Sequence, residues 1–430
     1  MMCRAGARSC AWGRNSIVTD DTSGAPRVPF YRNRDYLLLV SAQGLSLTGR
    51  EIESLVMPLL VLGLTGSPVQ AGFIAACQSA PYFVLSLLAG ALVDRWNRKW
   101  VMLICDAVRV AAFGSIPLAW MIGALHIAQL YAVALAAGSA FVFYNIAEIS
   151  ALPLVVGKDE LTRATSSNTV VEWIGENAGP ALGGVLIGLR KSTAAGAVLA
   201  YAVQAGILFA SLFFLAGIAK PLRAPPSETP RRPLLAEVRE GVMWLFAHRE
   251  IRAMAFLAAA LAVLFGPVQL AIIVLAKQEF HAQPAAIGLL FSMGGVAGVL
   301  TTLTAPRFRR WFSAGTIIVY GTFFWVLGLA GMAMAGSVLV LGAGWMILTG
   351  VSGIRDVVSI SYRLSLIPAE MQGRVNSVFR FVAWGLRPAS LAFGGYAIGT
   401  FGPRPTLWVM TAGMVIAAVA AAFSPLRKAR

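Results

Sequence analysis

"EWIGENAGPALGG", Glu172–Gly184, decides how the chain is read. Two carboxylates stand in a segment whose flanks are apolar enough for a bilayer. Glycines and a proline follow at once. A helix facing only lipid would carry neither, because charge at membrane depth is costly and Gly and Pro weaken a helix. A helix that borders a polar cavity tolerates both. The stretch therefore points to a membrane helix beside a path.

The composition around it agrees. The 430 residues are 58% hydrophobic and only 13% charged, with mean hydropathy +0.73. That excludes an ordinary soluble domain. Twelve apolar helical spans are expected, at about 35–64, 68–93, 99–122, 127–156, 161–189, 193–218, 251–276, 284–305, 313–335, 338–366, 372–399 and 403–424. One long linker interrupts them, proline-rich and charged, then amphipathic from about Leu234 to Phe246. The expected organisation is a disordered basic tail over 1–34, a six-helix bundle over 35–218, a linker with an amphipathic helix over 219–250, a second bundle over 251–424 and a tail over 425–430. The first 33 residues hold no apolar core and do not read as a signal peptide.

The net charge of +16 does not call for nucleic acid. Basic residues gather in alternate loops: Arg95, Arg98 and Lys99; Lys158 and Arg163; the long linker; Arg307, Arg309 and Arg310; Arg374; and Arg427, Lys428 and Arg430. The other loops offer only Arg190, Lys191, Lys277 and Arg404. By the positive-inside rule both termini are expected in the cytoplasm. The four cysteines, Cys3, Cys10, Cys77 and Cys105, form neither a disulfide framework nor a metal spacing.

An internal repeat supports two halves. Shifted by about 211 residues, Arg163, Ser166, Val171 and Trp173 fall on Arg374, Ser377, Val382 and Trp384. Gly183, Gly184, Ile187 and Gly188 fall on Gly394, Gly395, Ile398 and Gly399. "DRWNRKW" falls on "PRFRRWF" in the same way. Two like-oriented six-helix halves mark a parallel-repeat transporter with its path between them.

Two motifs carry a resemblance. "GALVDRWNRK", Gly90 to Lys99, has the pattern G-x-x-x-D-R-x-N-R-K with Asp94, Arg95, Arg98 and Lys99, and resembles the loop between helices two and three of the major facilitator superfamily. Its basic residues fix topology. Asp94, an acid at a helix end, accepts from a neighbouring helix terminus and can release it when the shape changes. In the family this loop latches the cytoplasmic side in the outward-facing state. The second copy has Pro306 where Asp94 stands. Gly175, Gly179, Pro180, Gly183 and Gly184 match the helix-five signature of facilitator-type antiporters, most of which are exporters. Glycines at this spacing let helix backbones approach closely, whether only for packing or for sliding. Three further stretches, around "LTGSPVQAGFIAACQSAPYF", "ELTRATSSNTVVEWIGENAGPALGG" and "IPAEMQGRVNSVFR", resemble the branch that includes macrolide efflux pumps and the enterobactin exporter. The resemblance runs from about Asp35 to Phe423. Where relatives usually read "LGD", this chain has "TGR", so Arg50 replaces an acid.

Charges within the spans are the functional candidates. The first half holds Glu51, Glu53, Asp106, Glu148, Glu172 and Glu176 against Arg50 and Arg109. The second holds Arg355, Arg363, Arg380 and Arg387 against Asp356. Some must neutralise one another: Asp106 with Arg109, and Arg50 with Glu53, have i,i+3 spacing. Glu148 and Arg363 sit at matching depths in spans four and ten and are expected to bridge as a gate. Thr165, Asn168, Glu172, Glu176, Gly179 and Gly183 share one stripe of span five. Two acids one turn apart in a low dielectric cannot both ionise cheaply, so one of them is a candidate to hold a proton. Glu172, Glu176, Glu53, Asp106 and Arg109 form the proton-coupling set. Arg50, Trp173, Tyr144, Arg355, Trp384 and Arg387 are expected at the substrate cavity, where rings stack on a bulky compound unless they serve as packing.

The expected protein is an all-α polytopic membrane protein of the major facilitator fold, with twelve transmembrane helices in two pseudo-symmetric six-helix bundles. It would be a monomer in the bacterial inner membrane that exports a small amphipathic compound in exchange for protons, with no enzyme activity, cofactor or nucleic-acid partner. Uptake or lysolipid-type transport on the same fold, and a transport-inactive sensor or assembly factor, are the alternatives.

Overall fold

The computed structural model describes residues 30–93, 95–156, 160–223, 234–368 and 371–428. Asp94, Lys158, Arg430, the greater part of the expected 1–34 tail and the proline-rich part of the linker lie outside the described residues.

Fifteen α-helices follow one another, with no strand among the described residues. They are α1 (Arg34–Thr65), α2 (Pro68–Val93), α3 (Arg98–Met121), α4 (Ile127–Val155), α5 (Leu161–Gly188), α6 (Thr193–Ala216), α7 (Leu234–Ala247), α8 (Arg249–Phe265), α9 (Val268–Gln278), α10 (Pro284–Trp311), α11 (Ala314–Ala333), α12 (Val338–Leu366), α13 (Gln372–Trp384), α14 (Arg387–Phe401) and α15 (Pro403–Phe423). The sequence sets their ends. Asn33, Asn97, Ser192, Ser313 and Ser337 cap α1, α3, α6, α11 and α12 with side-chain oxygens. Gly66 closes α1 in the left-handed region at φ 65°. Proline opens α2, α10 and α15, where no N–H partner is needed.

Spans seven and eleven are not the single helices expected at 251–276 and 372–399. Each is broken, and proline is the reason. Pro267 offers no N–H to the carbonyl of Val263, one turn before it. The hydroxyl of Ser390 on α14 donates to that carbonyl instead, so the break between α8 and α9 is held from the neighbouring span. Pro388 in the first turn of α14 breaks span eleven in the same manner.

Eight spans are long and apolar enough to cross a bilayer on those grounds alone, counting α8 and α9 together. The other four are α1, α2, α5 and the broken α13–α14. Three of them, α2, α5 and α13–α14, border the seam between halves. α5 lies against α10 and α2 against α14, while α1 packs chiefly on α5 and α6. The amphipathic α7 begins at Leu234 and rests on α13 and α8. There Glu240 pairs with Arg374 at 2.7 Å.

The buried apolar residues divide unevenly along the helices. Loops α2–α3, α4–α5, α10–α11 and α12–α13 define one end, called the basic end. Toward the opposite end a single cluster joins both halves: Ile52, Leu55, Leu59, Leu62, Ala71 and Ile74 share it with Val268, Ile272, Leu275, Ile287, Phe291 and Ile398. Toward the basic end there are separate clusters, one around Tyr36, Met102, Ala147 and Leu215 and another around Leu245, Ile251, Val375 and Phe379. Among the described residues the halves therefore share a core at one end only. The molecule is sealed there and parted at the basic end.

Candidate functional site

The seal is built from small residues placed by the repeat. A side chain at Gly184 would run into Pro284, Ala285 and Gly288 of α10. Its repeat mate Gly395 stands equally close to Gly72 and Pro68 of α2. Their neighbours divide in parallel. Gly183 faces Ile52 and Val56 of α1, and Gly394 faces Pro267 at the break in span seven. In each half one glycine of the pair packs on its own half and the next crosses to the other. Ser292 donates to the carbonyl of Asn177 at 2.6 Å, fastening α10 to α5 a turn deeper.

The expected stripe of span five proves to be its contact with α1. The hydroxyl of Tyr36 donates to Asn168 Oδ1 at 3.2 Å, and Gln43 Nε2 donates to Glu172 at 2.9 Å. Gly175 meets Leu47 and Thr48, while Gly179 is pressed on Glu51. Thr165 is exposed. Glu176 is exposed too, although it stands in mid-helix beside Arg50 and Glu51. From the second half, Arg387 lies within electrostatic reach of Arg50 and Glu51. An exposed charge at this depth means that the space between the halves is open to it.

Behind this cluster lies a buried polar annex. Arg109 donates to Asp106 Oδ1 at 3.1 Å and to Ser46 Oγ at 2.6 Å. Ser211 donates to Asp106 Oδ2 at 2.7 Å. The side chains of Asp106 and Arg109 are 0% and 1% exposed, so the expected pair is present and dry. The other i,i+3 expectation does not hold. Arg50 pairs with Glu51 at 3.8 Å and lies 4.4 Å from the centroid of Phe141. Glu53 turns into the first half instead. It is 3% exposed, next to fully buried Tyr201. Three residues apart on a helix is still 60° around its axis, and the edge of the cleft falls between the two.

Of Arg355, Arg363, Arg380 and Arg387 in the second half, Arg355 alone pairs with an acid among the described residues. Arg355 bonds Asp356 at 2.7 Å and stacks on buried Trp325 at 4.3 Å. Arg363 lies over Phe379 at 3.9 Å, Arg380 donates to Tyr82 Oη of α2, and Arg387 lies 5.2 Å from the Trp384 ring. No acid pairs with these last three among the described residues. Each is met by a ring, which accepts a cation without cancelling its charge.

The remaining expected residues scatter. Glu148 is buried beside Glu172, and no ion pair joins it to Arg363. Tyr144, expected at the cavity, is 2% exposed and packed inside the first half by Ala140, Ala147 and Met102. Trp173 is half-buried, and Trp384 is exposed. In the α2–α3 loop Arg95 is exposed and Arg98 buried. Lys99 Nζ donates to the carbonyls of Ala216 and Ile218 at 2.9 and 2.7 Å, closing the end of α6. Gly90 has open space around it. Pro180 and Gly288 are in contact across the seam. Gln43, Ser46, Phe141 and Ser211 were not expected. Each is an ordinary residue in an apolar run, and only the fold gives it a charged neighbour.

Comparison with known proteins places this arrangement. A family model described as "Transmembrane secretion effector" matches residues 26–430. The multidrug efflux pump Tap of Mycolicibacterium fortuitum is 26% identical over 402 residues, covering 90% of this chain and 95% of that protein. The enterobactin exporter EntS of Citrobacter koseri is 24% identical, covering 79% of each. Among solved structures, a bacterial homologue of the iron transporter ferroportin in its inward-facing state superposes with TM-score 0.72 at 17% identity, covering 90% of this chain and 98% of that one. A bacterial homologue of the lysosomal transporter Spinster, also inward-facing, gives 0.70 at 13% identity, covering 91% and 96%. At those identities the structures speak for the fold alone. The family match spans nearly the whole chain, and with the two-half helical architecture it establishes that this protein belongs to the transmembrane secretion effector family of major facilitator transporters.

Proposed function

We propose that the protein is a proton-coupled exporter of a small amphipathic compound bearing an anionic or acceptor-rich group. The observation that carries this reading is the charge arrangement across the cleft. Acids Glu51, Glu172 and Glu176 stand on the first half; Arg387 of the second half lies within electrostatic reach of Glu51, and neither it nor Arg380 has an acid as ion-pair partner among the described residues. A substrate with an apolar body and an acceptor-rich head fits between rings and guanidinium groups. Glu172 and Glu176 are the proposed proton carriers, with Gln43 holding Glu172 in place. Asp106, Arg109 and Glu53 form a reserve of buried charge behind them.

With the basic end read as cytoplasmic, as the loop charges favour, the described state takes substrate from inside the cell. Export then requires the α5–α10 and α2–α14 seams to part while the basic end closes. Glu148 and Arg363, separate here, are proposed to meet in that second state. The protein is proposed to act as a monomer in a bacterial inner membrane. The names of the relatives Tap and EntS support the outward direction.

The test is a panel of toxic compounds and siderophores on an efflux-deficient host with and without this protein. At least one amphipathic anion should accumulate less in expressing cells, and a protonophore should abolish the difference. Accumulation that rises with expression would sink the export reading.

A further inference from the structure

We infer that the basic end of α10 and its turn into α11 form a binding site for the headgroup of an anionic phospholipid. The stretch is "PRFRRWF", Pro306–Phe312, the second copy of the α2–α3 motif. The two copies use their cations differently. In the first, Arg98 is 4% exposed and Lys99 is spent on two backbone carbonyls. In the second, every residue from Pro306 to Phe312 is exposed. Arg307, Arg309 and Arg310 pair with no acid among the described residues. Arg309 donates to the Phe312 carbonyl at 3.2 Å, which fixes the turn. The nearby acid Glu250 is engaged by Tyr362.

Length puts this cluster at headgroup depth. α10 has 28 residues, whereas about 20 suffice to cross the hydrocarbon core. The surplus of about two turns is the basic and aromatic segment itself. Trp311 is 74% exposed, and Phe308 and Phe312 are stacked beside it with centroids 6.4 Å apart. Aromatic rings belong at the junction of acyl chain and headgroup, with cations just above them. The capped N-terminus of α11 adds positive potential at the same place. Three guanidinium groups over an aromatic step match a phosphodiester whose acyl chains continue down the helix. Because α10 forms the seam with α5 through Gly288, a lipid held here restrains one side of the seal.

The test compares the wild type with an Arg307→Gln/Arg309→Gln/Arg310→Gln variant in phosphatidylcholine nanodiscs carrying a minority of phosphatidylglycerol. A control variant, Arg32→Gln/Arg34→Gln/Arg427→Gln, removes three exposed cations elsewhere on the same end. Mass spectrometry of retained lipid reads the enrichment of phosphatidylglycerol over the bulk. The wild type and the control should enrich it. The triple variant should lose at least about five-fold, the factor equivalent to one cation near an anionic surface. Enrichment should fall with salt and survive an excess of soluble glycerol phosphate. Equal enrichment in the triple variant, loss in the control alone, or full displacement by glycerol phosphate would each overturn the lipid site.

Discussion

Asp106 and Arg109 show how a charge is kept in a membrane helix. The pair is dry, and each member spends its remaining valence on a serine hydroxyl, Ser211 for the acid and Ser46 for the base. Asp106→Ala should therefore cost about 3–5 kcal/mol, because Arg109 is left buried and uncompensated. Replacing both by leucine should cost less, and unfolding in detergent orders the two. A double variant no more stable than the single would deny the pairing. Half-buried Glu172 and exposed Glu176 behave differently. Glu172→Gln/Glu176→Gln should leave folding and substrate exchange intact but abolish accumulation driven by a pH gradient, read in vesicles with a compound from the panel. Full gradient-driven export by this variant would make the two acids structural. Some of this was legible from spacing alone, as the Asp106–Arg109 pair was. The direction of Glu53 was not, since the edge of the cleft that separates it from Arg50 is set by neighbouring helices. Gln43 was invisible for the same reason: a glutamine in an apolar run declares its partner only when α5 is laid against α1.

At the scale of the element, apolar runs located the spans, because length and hydropathy are properties of one helix. The breaks in spans seven and eleven were not located. A proline in an apolar run kinks some helices and divides others, and here Ser390 from another span stabilises the division. The glycine signature was legible as a close approach, but its two destinations were not. The structure separates them, with Gly183 facing α1 and Gly184 crossing to α10. Gly184→Leu should thus drive a side chain into the facing backbone, which no change of rotamer relieves. Even ordinary overpacking costs about 1–3 kcal/mol. Export should fall steeply with insertion preserved, and Gly395→Leu should repeat the effect on the other seam. Gly114→Leu, with open space around it, is the control. Equal export by Gly184→Leu and Gly114→Leu would mean that the seam is not tight during turnover.

For the whole molecule, the repeat predicted two halves but not which end they share. That depends on the state adopted, and one sequence must encode both states. The proposed gate tests the second. Neutralising Glu148 or Arg363 singly should slow transport about ten-fold if their bridge is worth the 1.4 kcal/mol that one decade represents. The exchange Glu148→Arg/Arg363→Glu should recover part of the loss, as coupled sites do. Losses that simply add would show that the two never meet.

The core shared between halves has a thermal consequence. Parting it uncovers Leu, Ile and Val side chains from α1, α9 and α10, and apolar surface that meets water raises the heat capacity. The conformational switch then resembles partial unfolding more than the turning of a rigid hinge. Its barrier should change with temperature, as protein folding barriers do. A plot of the logarithm of export rate against reciprocal temperature should accordingly be curved rather than straight, in lipids that undergo no phase transition over the range. Gly184→Leu, which already loosens the seam, should flatten that curve.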